Sequence, residues 1–205
     1  MYRVSIISLL LFFVPLGSML YASNGGNVEL YLNGAFGLPM TPEEFSDYWK
    51  TSVLNFGGGL GYTFSPVLSS NVFFDLGVFA FNGDKLAHEA GLGGIISIDG
   101  GNASVMTIFA NIKASAPKGP VRPYFFGGGG LFLLSIDDAT VSGGGMVIPV
   151  EGSSENAFGI NFGAGTYFAV AKTVDLFIDG RYVLGFTKGE STGILPFRLG
   201  VNVKL

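Results

Sequence analysis

The chain has 205 residues, a formal net charge of −4 and no cysteine, which excludes disulfides and thiolate-bound metals. Hydrophobic residues make up 48% and charged ones only 13%, yet beyond the N-terminal stretch no apolar run approaches the ~18 residues of a membrane helix. The hydrophobics are therefore interleaved with polar residues, and 33 glycines with 20 phenylalanines indicate a Gly-rich, aromatic-rich β protein.

The first 22 residues read as a secretory signal peptide. Arg3 follows the free amine, an apolar core runs over 4–14, and Pro15, Gly17 and Ser18 precede Tyr21-Ala22. Cleavage is expected after Ala22, although Leu20 departs from the small-residue rule at the minus-three position. Residues 23–205 then form one domain.

Successive strand side chains point to opposite faces, so a period of two marks a wall with two different surroundings. In the first strand Val28, Leu30, Leu32, Gly34, Phe36 and Leu38 alternate with Glu29, Tyr31, Asn33, Ala35 and Gly37. The second, 52–64, repeats this with Leu54, Phe56, Leu60, Tyr62 and Phe64 on the apolar face. After Ser65-Pro66, the third turns Val72, Phe74, Leu76, Val78 and Ala80 outward and Asp75 and Gly77 inward. The fourth, 103–115, sets Met106, Ile108, Ala110 and Ile112 against Thr107, Asn111 and Lys113. Pro117-Lys118-Gly119-Pro120 is a turn, and the fifth strand, 121–134, is apolar on both faces and carries no orientation signal. The sixth, 156–170, shows Phe158, Ile160, Phe162, Ala164, Thr166 and Phe168. The seventh sets Leu176, Ile178, Tyr182, Leu184 and Phe186 against Asp175, Asp179, Arg181 and Gly185. The eighth, 195–205, alternates without a break: Leu195, Phe197, Leu199, Val201, Val203 and Leu205 against Pro196, Arg198, Gly200, Asn202 and Lys204.

Strands of about 9 to 11 residues, when tilted, cross a bilayer's hydrocarbon core. Such an apolar strand at the end of a chain is a sticky edge unless it is covered or the sheet closes. The fold class read from the sequence is therefore all-β: a closed antiparallel transmembrane β-barrel of eight strands, its last strand pairing with 27–38. The count becomes ten if 92–98 and 141–150 join the wall rather than extend hairpins above it. Connections near 65–70, 116–120 and 171–173 are short, whereas those near 39–51, 83–102, 135–155 and 188–194 are mostly long. Bacterial outer-membrane barrels have short periplasmic turns and longer external loops. An internal echo, Asn55-Phe56-Gly57 with Phe73-Phe74-Asp75 against Asn161-Phe162-Gly163 with Phe177-Ile178-Asp179, suggests one hairpin design used twice.

Arg122-Pro123-Tyr124 followed by Gly127, Gly128 and Gly130, the run from Gly159 to Gly165, and the closing strand resemble the small eight-stranded outer-membrane barrels of the OmpA/OmpX type, including the opacity-protein-like group. The likeness covers the whole mature chain. It implies localisation in the outer membrane with periplasmic termini, and insertion by the barrel-assembly machinery. In that family the machinery reads a final strand ending in an aromatic residue, whereas this chain ends in Leu205, its nearest aromatic being Phe197. Members include adhesins, structural anchors and lipid-modifying enzymes, so the resemblance selects no task.

Glu29, Asp75, Lys113, Asp179, Arg181, Arg198 and Lys204 fall on predicted lumen faces. Isolated charges in a dry interior are costly, so they are expected to pair. An eight-stranded interior is just wide enough for side chains to fill, which favours a plugged core over a pore. The long loops hold eleven acids (Glu43, Glu44, Asp47, Asp84, Glu89, Asp99, Asp137, Asp138, Glu151, Glu155, Glu190) and three bases (Lys50, Lys85, Lys188). Acidic tips argue against nucleic-acid binding, and no calcium-loop spacing or other metal or cofactor site is present in the sequence. Phe45, Tyr48 and Trp49 are read as surface-loop contacts for a partner or as girdle residues at the lipid-water boundary.

His88, the single histidine, stands beside Glu89 with Ser97 and Ser104 nearby. Those are the residue types a serine hydrolase needs, but no motif surrounds them. The Gly clusters at 57–61 and 127–130 lack the following helix of a phosphate-binding loop. They are read instead as relief of crowding and as sites of curvature. The expected function is that of a non-enzymatic, monomeric outer-membrane protein displaying loops to an extracellular or envelope partner. A small channel and a lipid-modifying enzyme are the alternatives.

Overall fold

The computed structural model describes residues 27–52 and 54–205; the predicted signal peptide lies outside the described residues. The elements run β1 (Asn27–Thr41), α1 (Glu43–Tyr48), β2 (Leu54–Thr63), β3 (Leu68–Phe79), α2 (Gly83–Glu89), β4 (Ile96–Gly100), β5 (Ala103–Ser115), β6 (Val121–Ile136), β7 (Ala139–Gly143), β8 (Met146–Val150), β9 (Ser153–Ala169), β10 (Val174–Gly185) and β11 (Thr192–Lys204). Eight strands close in the order β1-β11-β10-β9-β6-β5-β3-β2, all neighbours antiparallel. Closure removes the sheet edge that the apolar last strand would otherwise expose. β11 pairs with β1 from Glu29↔Lys204 to Leu38↔Leu195 in unbroken register, which is the predicted seam.

The alternation read from the sequence sets the two surfaces. On β1 the odd positions from Glu29 onward are covered or partly covered, and the even ones face outward; on β11 the parity is reversed, with Arg198, Gly200 and Asn202 buried. β6, which had no orientation signal, turns its even positions inward, burying Tyr124, Phe126 and Phe132 while Phe125 is exposed. The outer surface is a belt of Leu, Ile, Val and Phe. Phe64, Phe125 and Phe168 stand near the short-turn end, and Phe158 and Phe186 stack 6.2 Å apart toward the other. Aromatic residues at both borders of an apolar band are the outer dress of a membrane barrel.

The stretches at 92–98 and 141–150 do not enlarge the barrel. They form a separate three-stranded sheet, order β4-β7-β8, so ten strands is ruled out. Gly144 and Gly145, with φ of 58° and 80°, supply the left-handed pair that a two-residue hairpin turn requires between β7 and β8. This sheet, α1 and α2 all lie at the end with the long connections.

The internal echo holds in facing but not in register. Asp75 lies opposite Gly57, whereas Asp179 lies opposite Gly165, two residues beyond the equivalent position. In both places a Cβ on the glycine would overlap the aspartate, so each inward carboxylate has a neighbour without a side chain. Relief of crowding, not phosphate binding, accounts for these inward glycines.

Candidate functional site: the charged lumen and its loop-end cover

Six strands of the wall deliver charge to one interior. Glu29 comes from β1, Asp75 from β3, Lys113 from β5, Arg122 from β6, Asp175, Asp179 and Arg181 from β10, and Arg198 and Lys204 from β11; β9 contributes the phenol of Tyr167. Each position follows from strand parity, because a residue two along faces the same way.

In the tier around Asp75 and Asp179, the Arg198 guanidinium donates to Asp179 through Nε (2.7 Å to Oδ1) and Nη2 (2.8 Å to Oδ2). Tyr124 donates its hydroxyl to Asp179 Oδ2 at 2.7 Å. Arg181 Nη2 donates to Asp75 Oδ2 at 2.8 Å, and Arg198 Nη1 lies 3.7 Å from the same oxygen. The fork of Arg198 thus ties β11 to its wall neighbour β10 and, across the lumen, to β3. Bidentate, charge-assisted bonds of this kind are among the strongest a protein makes. The guanidinium also lies 4.6 Å from the Phe73 ring centroid, a cation–π contact in a dry setting.

Toward the short-turn end, Lys113 Nζ lies 3.6 Å from Glu29 Oε2. It donates to the hydroxyls of Tyr31, at 2.5 Å, and of Tyr167. Glu29 also accepts from Tyr31 and from Thr63 Oγ1, the latter at 2.9 Å. At the rim Asp175 is held by Arg122 and by Lys204, the latter at 2.8 Å.

The seven residues named from sequence all reach the lumen, and the register across the seam does not decide which of them pair. Glu29 and Lys204 are register partners across the seam, yet Lys204 reaches the other way to Asp175 while Glu29 takes Lys113. Two members, Asp175 and Arg122, were missing from the predicted network. Asp175 shares parity with Asp179 and Arg181, so its inward position was readable. Arg122 was hidden because β6 is apolar on both faces.

Above the charged tiers, the loop end of the lumen is closed by apolar side chains: Phe79, Val105, Phe109, Phe132, Val183 and Ile194 from the wall, and Phe45 from α1. Phe45 is 5% exposed and its ring lies 5.4 Å from that of Phe79. The sequence expectation of a surface contact or lipid-boundary residue is corrected here: α1 folds over the mouth and inserts Phe45 as its stopper. Trp49 also turns to the interior side. Its indole N–H donates to the Gly101 carbonyl at 3.0 Å, and its ring packs 5.5 Å from Phe45 and 4.9 Å from Phe81. Tyr48 remains at the surface and donates to Glu89 Oε2 at 2.9 Å, which raises its pKa above the ordinary 10.0, the hydrogen bond being the largest cause. Between the tiers the interior leaves a cavity of about 10 Å³ among Tyr31, Lys113, Tyr124 and Arg198, room for about one water.

His88 and the serines do not assemble. Ser97 Oγ donates to Asp99 at 3.0 Å, and among the described residues no hydrogen bond joins His88 to Ser97 or Ser104. Among the described residues no cluster of three metal-ligating side chains occurs.

Neither a family model nor a curated protein matches the chain by sequence. Solved structures match its shape. Neisserial surface protein A aligns with a TM-score of 0.57 at 18% identity, over 89% of this chain and 98% of that one. A major outer membrane protein from Thermus thermophilus aligns at 0.56 and 9% identity, over 89% and 100%. The outer membrane protein OprG from Pseudomonas aeruginosa aligns at 0.51 and 9%, over 88% and 96%. At these identities the likeness is one of fold, and it agrees with the closure, strand number and outer belt described above. The chain therefore has the fold of the small eight-stranded outer-membrane β-barrels of the OmpA/OmpX type.

Proposed function

We propose that the chain is a non-enzymatic, monomeric outer-membrane protein whose sealed barrel is a rigid mount for an acidic loop-end surface that engages an extracellular or envelope partner. The observation that carries this reading is the filled lumen: ion pairs and aromatic rings occupy it, and Phe45 stops its mouth. A barrel closed in this way has no use for its interior as a route. The elaboration lies instead at one end, where α1, α2 and the β4-β7-β8 sheet are built. In this reading the short turns and both termini lie in the periplasm, and the barrel-assembly machinery inserts the chain.

Two measurements test it. Purified monomer in planar bilayers is expected to show no sustained open conductance; reproducible large openings overturn the reading in favour of a channel. Removal of residues 137–152, the β7–β8 hairpin and its flanks, is expected to leave heat-modifiable gel migration intact while abolishing binding to the partner surface. Unaltered binding by that variant and by equivalent variants of the other long loops overturns the display role.

A further inference from the structure

The β4-β7-β8 sheet has one apolar face that is only half covered. Cross-strand register places Ile96 beside Gly143 and Met146, and Ile98 beside Val141 and Ile148, with Val150 next along. Residues directly opposite in antiparallel strands share a face. The opposite face carries Ser97, Asp99, Thr140 and Ser142, with Val147 and Pro149 along its β8 edge. α2 covers the β4 side: Ala87 is 2% exposed, a Cβ on Gly83 would press on Ile98, and an open groove of about 540 Å³ runs between α2 and Ile96. The β8 side has no cover, and Met146, Ile148 and Val150 are 68%, 55% and 48% exposed.

The outer edge of β8 is a poor template for an added strand. The two-residue turn makes Gly143 and Met146 a hydrogen-bonded pair, so the backbone of Val147 and Pro149 points away from β7. Proline has no N–H, and Pro149 blunts that edge. Recognition falls to the face, not the edge. The surroundings decide by what: Asp137 and Asp138 lead into β7, Glu151 follows β8, and the long loops together hold eleven acids against three bases. A second copy would bring like charge against like, and anionic lipid headgroups meet the same repulsion.

Resting on the display reading above, we propose that the apolar face of the β4-β7-β8 sheet, bordered by α2, docks a cationic amphipathic helix, its apolar stripe on Val141, Ile148 and Val150 and its basic flanks against the acidic rim. Five-residue strands give a face about 16 Å long, which a helix of about eleven residues spans.

The test uses the full mature chain in discs of zwitterionic lipid, with empty discs as the blank. The probe is a fluorescent helical peptide of leucine and lysine, and the control has glutamate in place of lysine. The lysine peptide is expected to bind the loaded discs, weakening at least about tenfold between low and physiological salt, and the glutamate peptide is expected not to bind. Ile148→Asp adds a charge that attracts the probe while spoiling the apolar face, so a loss of about tenfold or more there assigns the contact to that face. The pair Met146→Ser with Ile148→Ser, which leaves charge unchanged, should lose as much. Val147→Asp on the opposite face should stay within about twofold, a factor too small for a lost hot-spot contact. Heat-modifiable migration confirms that each variant is folded. Equal binding to empty discs, equal binding of both peptides, or undiminished binding by folded Ile148→Asp overturns the proposal. So does a concentration-dependent dimer abolished by Ile148→Asp, which would make the occupant a second copy. Failure here with partner binding still lost on removal of 137–152 leaves the display role standing.

Discussion

Replacing Asp179 by Asn should unfold the barrel more readily than any surface change. In the wild-type lumen Arg198 and Asp179 form two bonds of 2.7 and 2.8 Å, both side chains 2% exposed, and Tyr124 adds a third to the same carboxylate. The amide removes the charge but not the burial, so the one carboxylate left to Arg198 is Asp75 at 3.7 Å, through an oxygen already bonded to Arg181. Breaking a buried pair by removing one partner costs about 3–5 kcal/mol, because an uncompensated charge stays behind. The chain's single tryptophan, Trp49, packs over the loop-end mouth and reports unfolding. Urea titrations in lipid vesicles, followed by Trp49 emission and by heat-modifiable migration, should place Asp179→Asn about 3–5 kcal/mol below wild type. Asp179→Leu combined with Arg198→Met should recover most of that loss, because apolar replacement of a whole buried pair is near neutral. A cost under about 1 kcal/mol for the single variant, as for a surface ion pair, or no recovery in the double variant, would refute the view that the lumen is dry and its pairs tightly coupled.

Three further outcomes follow from the same geometry. Arg181→Met should be milder than Asp179→Asn, at about 1–3 kcal/mol, because it takes away, with one bond, a buried cation whose Nε and Nη1 have no partner, and the Asn33 amide still donates to Asp75 at 3.3 Å; a larger loss in the same urea titration contradicts this. Phe45→Ala should cost about 3 kcal/mol and shift Trp49 emission to the red as the mouth loosens, while bilayer conductance stays closed on the charged tiers beneath. Tyr48 should titrate above pH 10.0 in the 295 nm difference spectrum between wild type and Tyr48→Phe, since the bond to Glu89 holds its proton. That bond is intact below pH 10 and is lost as pH rises through the raised value; Glu89→Gln should bring the titration back toward 10, and an unchanged midpoint speaks against the bond.

Strand parity made most of the wall legible. Where one face is apolar and the other polar, as in β1, β5, β10 and β11, a strand can lie only one way between lipid and a filled interior, so orientation and inward charges followed from spacing. β6 was opaque because both its faces are apolar, the inner one contributing Phe132 to the mouth and Phe126 to the charged tier. With β6 unread, Arg122 and Tyr124 were lost to the predicted network. α1 was invisible for another reason. Six residues carry too little helical period to be seen, and only tertiary packing against Phe79 turns Phe45 inward. The choice of partner between Lys113 and Lys204 for Glu29 was likewise beyond spacing, because long flexible side chains reach across two strands and the nearest register partner is not the nearest charge.

The charges also explain how a chain so rich in glycine keeps one register. A slip of one residue along β11 would carry Arg198 and Lys204 into lipid and their flanking leucines and valines into the lumen. A slip of two would preserve facing, and the hydrophobic pattern alone does not forbid it. What forbids it is the fork of Arg198, which meets Asp179 on β10 and Asp75 on β3 together in the observed register; the fit of Asp75 against Gly57 and of Asp179 against Gly165 restrains the β2–β3 and β9–β10 pairs in the same way. Alternation thus fixes which way β11 faces, and the lumen charges fix where it stops. The seam need not depend on its last residue for alignment: Lys204 pairs with Asp175 and the Leu205 N–H donates to the Val28 carbonyl at 2.8 Å.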